Sequence, residues 1–497
     1  MRRSMLFIMG TVSLLGLALH ACGPAVTPGK ESATHADERR IEAPTRSSSE
    51  GSSVSVPTGR VQIRWFVGLG TGTARDAQEA EKAFVQEFNA SQDEIELLLE
   101  VSPGGGVYGG ADRLRPQIEA GHAPDVVGPM GKLGLSLFPG LWLDLEPLIE
   151  GESGALGDLS PSIADSWRID GRIVGMPTGV NPSVLYYNRD LFDAAGLPYP
   201  PHAYGERYAD GDAWTIEKMQ EVAMRLTLDV DGNDAISSDF SPHRIAQYGY
   251  DWRWASGKGM AYLFGAGEVT DVQGNATIPD NWRRAYHWYY EGMWTKHFIP
   301  DGPVSRGVFQ GNPFVSGKIA MLHSHLWYLT RLVDVPFAWD IAALPSYNGT
   351  PSVRWDNSMV GILNTTQHPR EAFQVAYALA TSLELLAVWG DLPVGEHLRT
   401  AYLAELGAKY PGVDWQAAAD GLGFLSVPPH GSIMPNHAEA YARFDDLRDS
   451  MEYRSNLELD AEIDKLESDL QALFAQAQGP IPSPMPGTEL GQRPASP

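Results

Sequence analysis

The sequence predicts an α/β fold divided into two lobes, and three observations predict it. Val61 to Val67 is a short apolar strand, Ala77, Ala80, Phe84 and Phe88 fall on one helical face, and Ile95, Leu97, Leu99 and Val101 alternate as a second strand. Strand, helix, strand in that order implies a right-handed crossover and a parallel sheet. Between two termini poor in foldable sequence lie roughly 420 residues, more than a single core usually serves. The third observation is the stretch Gly171 to Pro201, GRIVGMPTGVNPSVLYYNRDLFDAAGLPYPP, which reads as the passage of the chain from one lobe to the other.

Taken in order, the chain opens with Arg2 and Arg3 and an apolar run from Met5 to Leu19. That run is shorter than the roughly 20 apolar residues of a membrane span, and its basic front marks residues 1–21 as a secretory signal. Cys22 is the only cysteine in 497 residues. An exported chain with one thiol has no disulfide framework, so the cysteine is kept for another task. Gly23 to Arg60 is rich in Ser, Thr, Pro, Gly and charge, cannot bury enough surface to fold, and reads as a tether over 22–59. The proline-rich segment 479–497 is a disordered tail by the same reasoning.

After the first strand comes Gly68-Leu69-Gly70-Thr71-Gly72-Thr73. Its spacing is GxGxG rather than the GxGxxG of a dinucleotide site, so the glycines imply backbone that approaches a ligand closely at the carboxyl end of a strand. Ser102 to Gly110 is a glycine-rich loop, Asp112 to Ala120 a helix, and Pro124 to Val127 a third strand opened by Asp125, which either faces the cleft or pairs structurally. Trp142 reads as packing. Within the passage, Ile173 to Met176 is one short strand, Pro177 ends it, Gly179 to Pro182 is a turn, and Val184 to Tyr187 is a second strand. Asn188 or Asp190 caps a brief helix that Gly196 stops.

Trp214 to Leu226 is an amphipathic helix running into Asp229-Val-Asp-Gly-Asn-Asp-Ala-Ile-Ser-Ser-Asp239. Asp229, Asp231 and Asn233 place oxygens as in the front of an EF-hand loop and, with Asp239 as a further oxygen donor, make a candidate structural Ca²⁺ site. Asp234 in place of the turn glycine and Phe240 in place of the closing glutamate depart from that pattern; an acidic solvated turn is the alternative. The chain holds 14 tryptophans. Trp252, Trp254, Trp327 and Trp355 sit among turn residues rather than periodic apolar runs, and indole platforms flanked by Asp, Asn and Arg suit the flat C–H faces of sugars. Trp282, Trp288 and Trp294 lie at helical spacing and read as packing. Phe309 to Met321 reads as helix then strand, Ser324 to Trp327 as a cleft loop, Met359 to Leu363 as a strand, and Pro369 to Trp389 and Leu459 to Leu473 as helices.

With 37 basic and 62 acidic residues the formal charge is -25, which argues against nucleic acid or an anionic membrane surface as partner. No HExxH, GxSxG or Walker loop is present and the folded region lacks cysteine, so zincin, serine-hydrolase, P-loop and thiol chemistry find no support. A carboxylate-pair glycoside hydrolase is set by geometry rather than spacing and stays open as an alternative.

Several pieces fall in one family's order: IRWF at Ile63 to Phe66, AEKAFVQEFNAS at Ala80 to Ser91, IEAGHAPDVV at Ile118 to Val127, GRIVGMP, LYYNRDLFDAAGL, and FVSGKIAM at Phe314 to Met321. The chain resembles the extracellular solute-binding proteins of bacterial ABC importers, in the large carbohydrate-binding family 1. The resemblance implies a type II periplasmic-binding-protein-like fold, each lobe a mostly parallel sheet flanked by helices. It implies a first lobe of 60–177 plus about 310–360 and a second of 178–309 plus about 361–478. The hinge crossings then lie near Pro177, Gly302 to Phe314 and Asn357 to Gly361. It implies a binding protein rather than an enzyme, a monomer without a required cofactor, with a carbohydrate ligand, permease subunits as partners and an extracytoplasmic location. A non-carbohydrate solute is the other ligand class. Leu19-His20-Ala21-Cys22 resembles a lipobox, which implies a lipid anchor on Cys22. The expected ligand site combines Trp65, Gly68, Gly70, Thr71, Trp355 and Asp356 with Thr178, Asn181, Trp252, Trp254 and Trp327.

Overall fold

The computed structural model describes residues 59–477 apart from 103, 105, 150–164, 170, 253–255, 311, 333–334 and the side chain at 397. The signal segment, Cys22, the tether up to 58, Trp254 and the tail 479–497 lie outside the described residues.

The first part of the fold follows the expected order: β1 (Val61–Val67), α1 (Arg75–Ser91), β2 (Ile95–Val101), α2 (Gly106–Glu119) and β3 (Val126–Met130). β1 pairs in parallel with β2 on one side and β3 on the other. α1 buries Ala77 and Ala80 as its periodicity dictates, and also Glu81, which stands on the same face four residues after Ala77 although it is acidic. Asp125 is structural: its carboxylate accepts from the Arg64 backbone N–H (2.9 Å) and the Thr366 hydroxyl (2.6 Å). A short helix, α3 (Lys132–Ser136), follows β3 directly.

The passage region is one strand, β4 (Met176–Asn188), buried along all 13 residues, where a turn between two strands is expected. The remaining elements include α4 (Arg189–Ala195), α5 (Ile216–Arg225), β5 (Ile245–Trp252), α6 (Asp280–Trp294), β6 (Ile319–His325), β7 (Trp339–Ala342) and β8 (Trp355–Ile362). β4 pairs with β8 from Met176 to Pro182, then with β6 from Ser183 to Tyr187. Pro182 is therefore the last residue before the partner changes, and Pro177 stands beside the register shift between Ser358 and Met359. Both prolines occupy points where the ladder is already interrupted, which is how a strand tolerates residues without an N–H. Gly179 is explained by close approach rather than by a turn, because a Cβ there would lie 2.6 Å from Asp391 Cβ.

Among the described residues the strands form a ten-stranded sheet in the order β2-β1-β3-β8-β4-β6-β5, ending at the short strand Leu228–Asp229. β7 and β9 (Leu392–Pro393) pair with β4 off this path. The sheet is mixed rather than mostly parallel: β1 with its neighbours and β5 with β6 are parallel, while β8 and β4 run antiparallel to the strands beside them. Strands that carry the chain across and back travel in opposite senses, which parallel crossovers cannot provide. The pairing also divides the segment 310–360 drawn into the first lobe, since β6 pairs with the second half of β4 and with β5, whereas β8 pairs with β3 and the first half of β4.

Caps at both ends of α4 match expectation. The Asn188 side chain accepts from the Leu191 N–H at 3.2 Å, and Gly196 closes the helix at φ +63°. The predicted helix from 369 to 389 is two, α7 (Pro369–Thr381) and α8 (Leu383–Trp389), bent by 68° where the Ser382 side chain caps the second. No single helix among the described residues is long and apolar enough to cross a membrane. The C-terminal part adds α9 (Glu396–Lys409), α10 (His437–Tyr453) and α11 (Leu459–Ala477), the last burying Leu459, Ile463, Leu466 and Leu470.

Candidate functional site

The carboxyl ends of β1 and β3 open into a cleft of about 600 Å³, the position at which open α/β sheets hold ligands. On this side the wall is two glycine-bearing loops, Gly70 to Ala74 after β1 and Met130 to Gly134 at the end of β3. A Cβ at Gly70 would meet the Pro129 carbonyl oxygen at 2.6 Å, and Gly72 takes φ +97° with its Cβ direction blocked 2.5 Å away by Glu81 Oε1. These glycines let two loops lie against each other at the cleft. Facing them are Asn181 of β4, Asp356 to Ser358 of β8, Trp327 just after β6, and His430, His437 and Tyr441 from the C-terminal segment.

The structure thus brings together five of the expected residues, Gly70, Thr71, Asn181, Trp327 and Asp356. Thr178 and Gly68 stand one layer behind. The Thr178 hydroxyl donates to Asp391 Oδ2 (2.7 Å) and the Asn181 amide donates to Asp391 Oδ1 (2.6 Å), so Asp391 fixes the orientation of a cleft residue from below. Gly68 packs on Ser102, and its carbonyl lies where a Cβ on Gly110 would fall. Three expected platforms are core instead. Trp65 is fully buried, donates to the Gly128 carbonyl (2.7 Å) and meets Trp389 edge-on. Trp355 is fully buried against Trp167 and donates to Ser426 O (2.7 Å). Trp252 ends strand β5, rather than lying in a loop, and packs on Tyr289 with centroids 5.1 Å apart. Their indole faces are consumed by side-chain packing, which leaves none for a ligand.

The charged side chains lining the cleft are Lys132, Asp356 and the exposed Arg331. Asp356 keeps 38% of its side chain open to the cleft, yet its surroundings displace enough water to push its pKa up to about 6, against the pull of Arg354 and Lys132. Burial lowers Lys132 to about 8, opposed by Asp356. His437 is pushed down to about 4 by burial and then by Lys258 and Lys132. At neutral pH Asp356 is therefore mostly ionised, Lys132 mostly protonated and His437 neutral, with an indole beside them. Reading the sequence missed Lys132, Asp391, His325, His430, His437 and Tyr441. The four-residue spacing of His437 and Tyr441, which puts both on one face of α10, was the available signal.

The expected calcium loop is held as a turn. Asp229 Oδ1 accepts from the N–H groups of Asp231 (2.9 Å) and Asn233 (3.0 Å), and Oδ2 from Ser241 N–H (2.9 Å). Burial alone would raise this carboxyl, but these donors and the Asn233 side chain outweigh it and hold the pKa at about 2. Asp231 pairs with Arg244 at 2.9 Å. The second loop Asp271-Val-Gln-Gly-Asn275 has the same bonds without a second acid: Asp271 Oδ1 accepts from Gln273 N–H (2.9 Å) and Asn275 N–H (2.8 Å). The pattern common to both loops is turn chemistry.

A two-part sheet joined through a shared strand, with its cleft beside that strand, defines a solute-binding protein of the two-lobe periplasmic type. Residues 72–382 match the model of the bacterial extracellular solute-binding protein family, and the chain belongs to that family. The family is extracellular, which places the chain outside the cytoplasm. The fold is similar to an ABC substrate-binding protein from Listeria monocytogenes in complex with cycloalternan, with a TM-score of 0.65 and 18% identity over 84% of this chain and 99% of that one. It is similar to the sugar-binding protein MalE from Xanthomonas citri, with a TM-score of 0.65 and 17% identity over 84% and 98%. A mannitol-binding protein from Pseudomonas aeruginosa is 28% identical over 176 residues, and that match spans only 34% of each chain.

Proposed function

We propose that this protein captures a carbohydrate, a sugar or oligosaccharide, in the cleft and delivers it to the permease of an ABC importer while a lipid on Cys22 holds it at the membrane. The observation that carries the ligand class is the half-buried Trp327 bordering the same cleft as Asn181, Asp356 and Thr71. An indole face with hydrogen-bonding groups around it matches a sugar's apolar ring face and hydroxyl rim. The volume of about 600 Å³ falls within the range of small-molecule sites. Oligosaccharides bound to the structural neighbours, and the polyol named for the partial relative, support the same class.

A thermal-shift screen of sugars, polyols, amino acids and polyamines tests this reading. A carbohydrate should raise the melting temperature, and stabilisation by the other classes alone would reject it. Incubated oligosaccharide should be recovered uncut, since family members bind rather than turn over their solutes. Cys22→Ser should release the protein from membranes without altering ligand binding. A fully soluble parent protein with an intact thiol would reject the anchor.

A further inference from the structure

We propose that His325, His430 and Asp356 form a site for one first-row transition-metal dication of zinc's type at the floor of the cleft. Three elements converge there: the end of β6, strand β8, and the loop before α10. Asp356 Oδ2 lies 3.5 Å from His325 Nε2, and Oδ1 lies 3.2 Å from His430 Nε2. The two imidazoles are stacked with centroids 5.3 Å apart, and one ligand atom from each of the three residues falls within 4.8 Å of the others. Tetrahedral bonds of about 2.0–2.1 Å space neighbouring ligand atoms by about 3.4 Å, which the two histidine to aspartate distances bracket.

The hydrogen bonds fix which nitrogen is left over. His325 Nδ1 is 2.7 Å from the Asn181 carbonyl oxygen, and His430 Nδ1 is 2.9 Å from the Trp355 carbonyl oxygen. A carbonyl only accepts, so each Nδ1 carries a proton and donates. With Nδ1 engaged by a carbonyl in each ring, Nε2 is the nitrogen left to bind a cation. Each Nε2 then lies beside an Asp356 oxygen, an acceptor close to an acceptor. His325 Nε2 is fully buried and has no hydrogen-bond partner. A proton on Asp356 could relieve one of these contacts, whereas a single dication between the three groups relieves both. Imidazole N–H groups anchored on backbone carbonyls are also the usual outer support of histidine ligands.

Two imidazoles and one carboxylate select zinc, copper or nickel over calcium or magnesium, which take all-oxygen shells. Three protein ligands leave a fourth position, and Asp356 faces the cleft, so the ion would meet whatever the cleft contains. The positive charges of Arg354 and Lys132 near Asp356 weaken the site but do not occupy it.

The inference does not rest on the carbohydrate reading and is tested without sugar. Protein stripped with chelator is titrated calorimetrically with Zn²⁺ alone, and one ion per chain is expected. His325→Ala, His430→Ala and Asp356→Asn should each weaken binding by about tenfold or more, while His287→Ala, which removes a half-buried histidine paired with Asp460 outside the cluster, should not. Co²⁺ added to the unaltered protein should give the visible absorption of a four-coordinate nitrogen and oxygen site, which Zn²⁺ then bleaches; this decides the matter if the variants fail to fold. No Zn²⁺ heat, Zn²⁺ binding indifferent to His430→Ala and Asp356→Asn, or a Co²⁺ spectrum like that of the hydrated ion would overturn it. Sugar binding by the stripped protein is scored separately, so either reading can fail alone.

Discussion

Trp327 is the cleft residue on which the largest single effect is expected. A tryptophan anchoring a ligand in a desolvated pocket loses about 2 kcal/mol or more on truncation, so Trp327→Ala should weaken sugar binding by roughly 30-fold. Calorimetry on folded variant protein checks this, and equal affinity would remove Trp327 from the site. Beneath the glycine loop, Glu81 accepts from Trp389 Nε1 at 3.0 Å, and burial raises its pKa from the ordinary 4.5 to about 8. The native state then holds a proton that the unfolded chain releases above 4.5. Its stabilising contribution is complete below that pH and is lost as pH rises through about 8. Glu81→Gln should flatten this slope and raise stability at pH 8 more than at pH 5, measured by denaturant unfolding; an unchanged slope would contradict it. At this scale the sequence was half legible. Asn181, Trp327 and Asp356 were visible as polar and aromatic groups among turn residues. Trp65, Trp252 and Trp355 carried a similar local signature, because an indole that packs and an indole that stacks on sugar look alike until their neighbours are known.

β4 shows how an element can be present while its local grammar misleads. Pro177, Gly179 and Pro182 spell a turn, yet each fits a strand that changes partners midway. The information that reverses the reading sits far away, at Asp391 and Ser358, and local propensity cannot contain it. Asp391 ties this strand to the end of α8. Asp391→Ala would leave the Thr178 hydroxyl and Asn181 amide without that acceptor, at a cost of about 2–4 kcal/mol, and should also weaken ligand binding through Asn181. Stability unchanged in urea unfolding would refute that link. In the DVDGN loop the acid spacing of an EF-hand front coincides with N–H donors to the Asp229 oxygens, and the spacing alone does not separate a cage from a turn. Calcium there is a proposal with a plain test: chelator should lower the melting temperature and Asp231→Ala should abolish that drop, whereas indifference to chelator would leave an acidic turn.

For the whole molecule, the two halves of the sheet meet along β4 with the cleft beside the junction. Closure on the ligand is a proposal: a ligand that touches Thr71 and Lys132 on one wall and Trp327 and Asn181 on the other would gain contacts only when both walls are near. The α/β class and the passage region were legible because strand, helix and strand periodicity is local. The mixed sheet and the pairing of β6 were not, because pairing partners are set by distant segments. The measurement that tests the central claim most directly is calorimetric titration of the purified protein with sugars, oligosaccharides and polyols. The account predicts one ligand per chain with micromolar or tighter affinity, roughly -8 kcal/mol. Binding of an amino acid, a polyamine or another non-carbohydrate solute, with every carbohydrate and polyol inert, would contradict it.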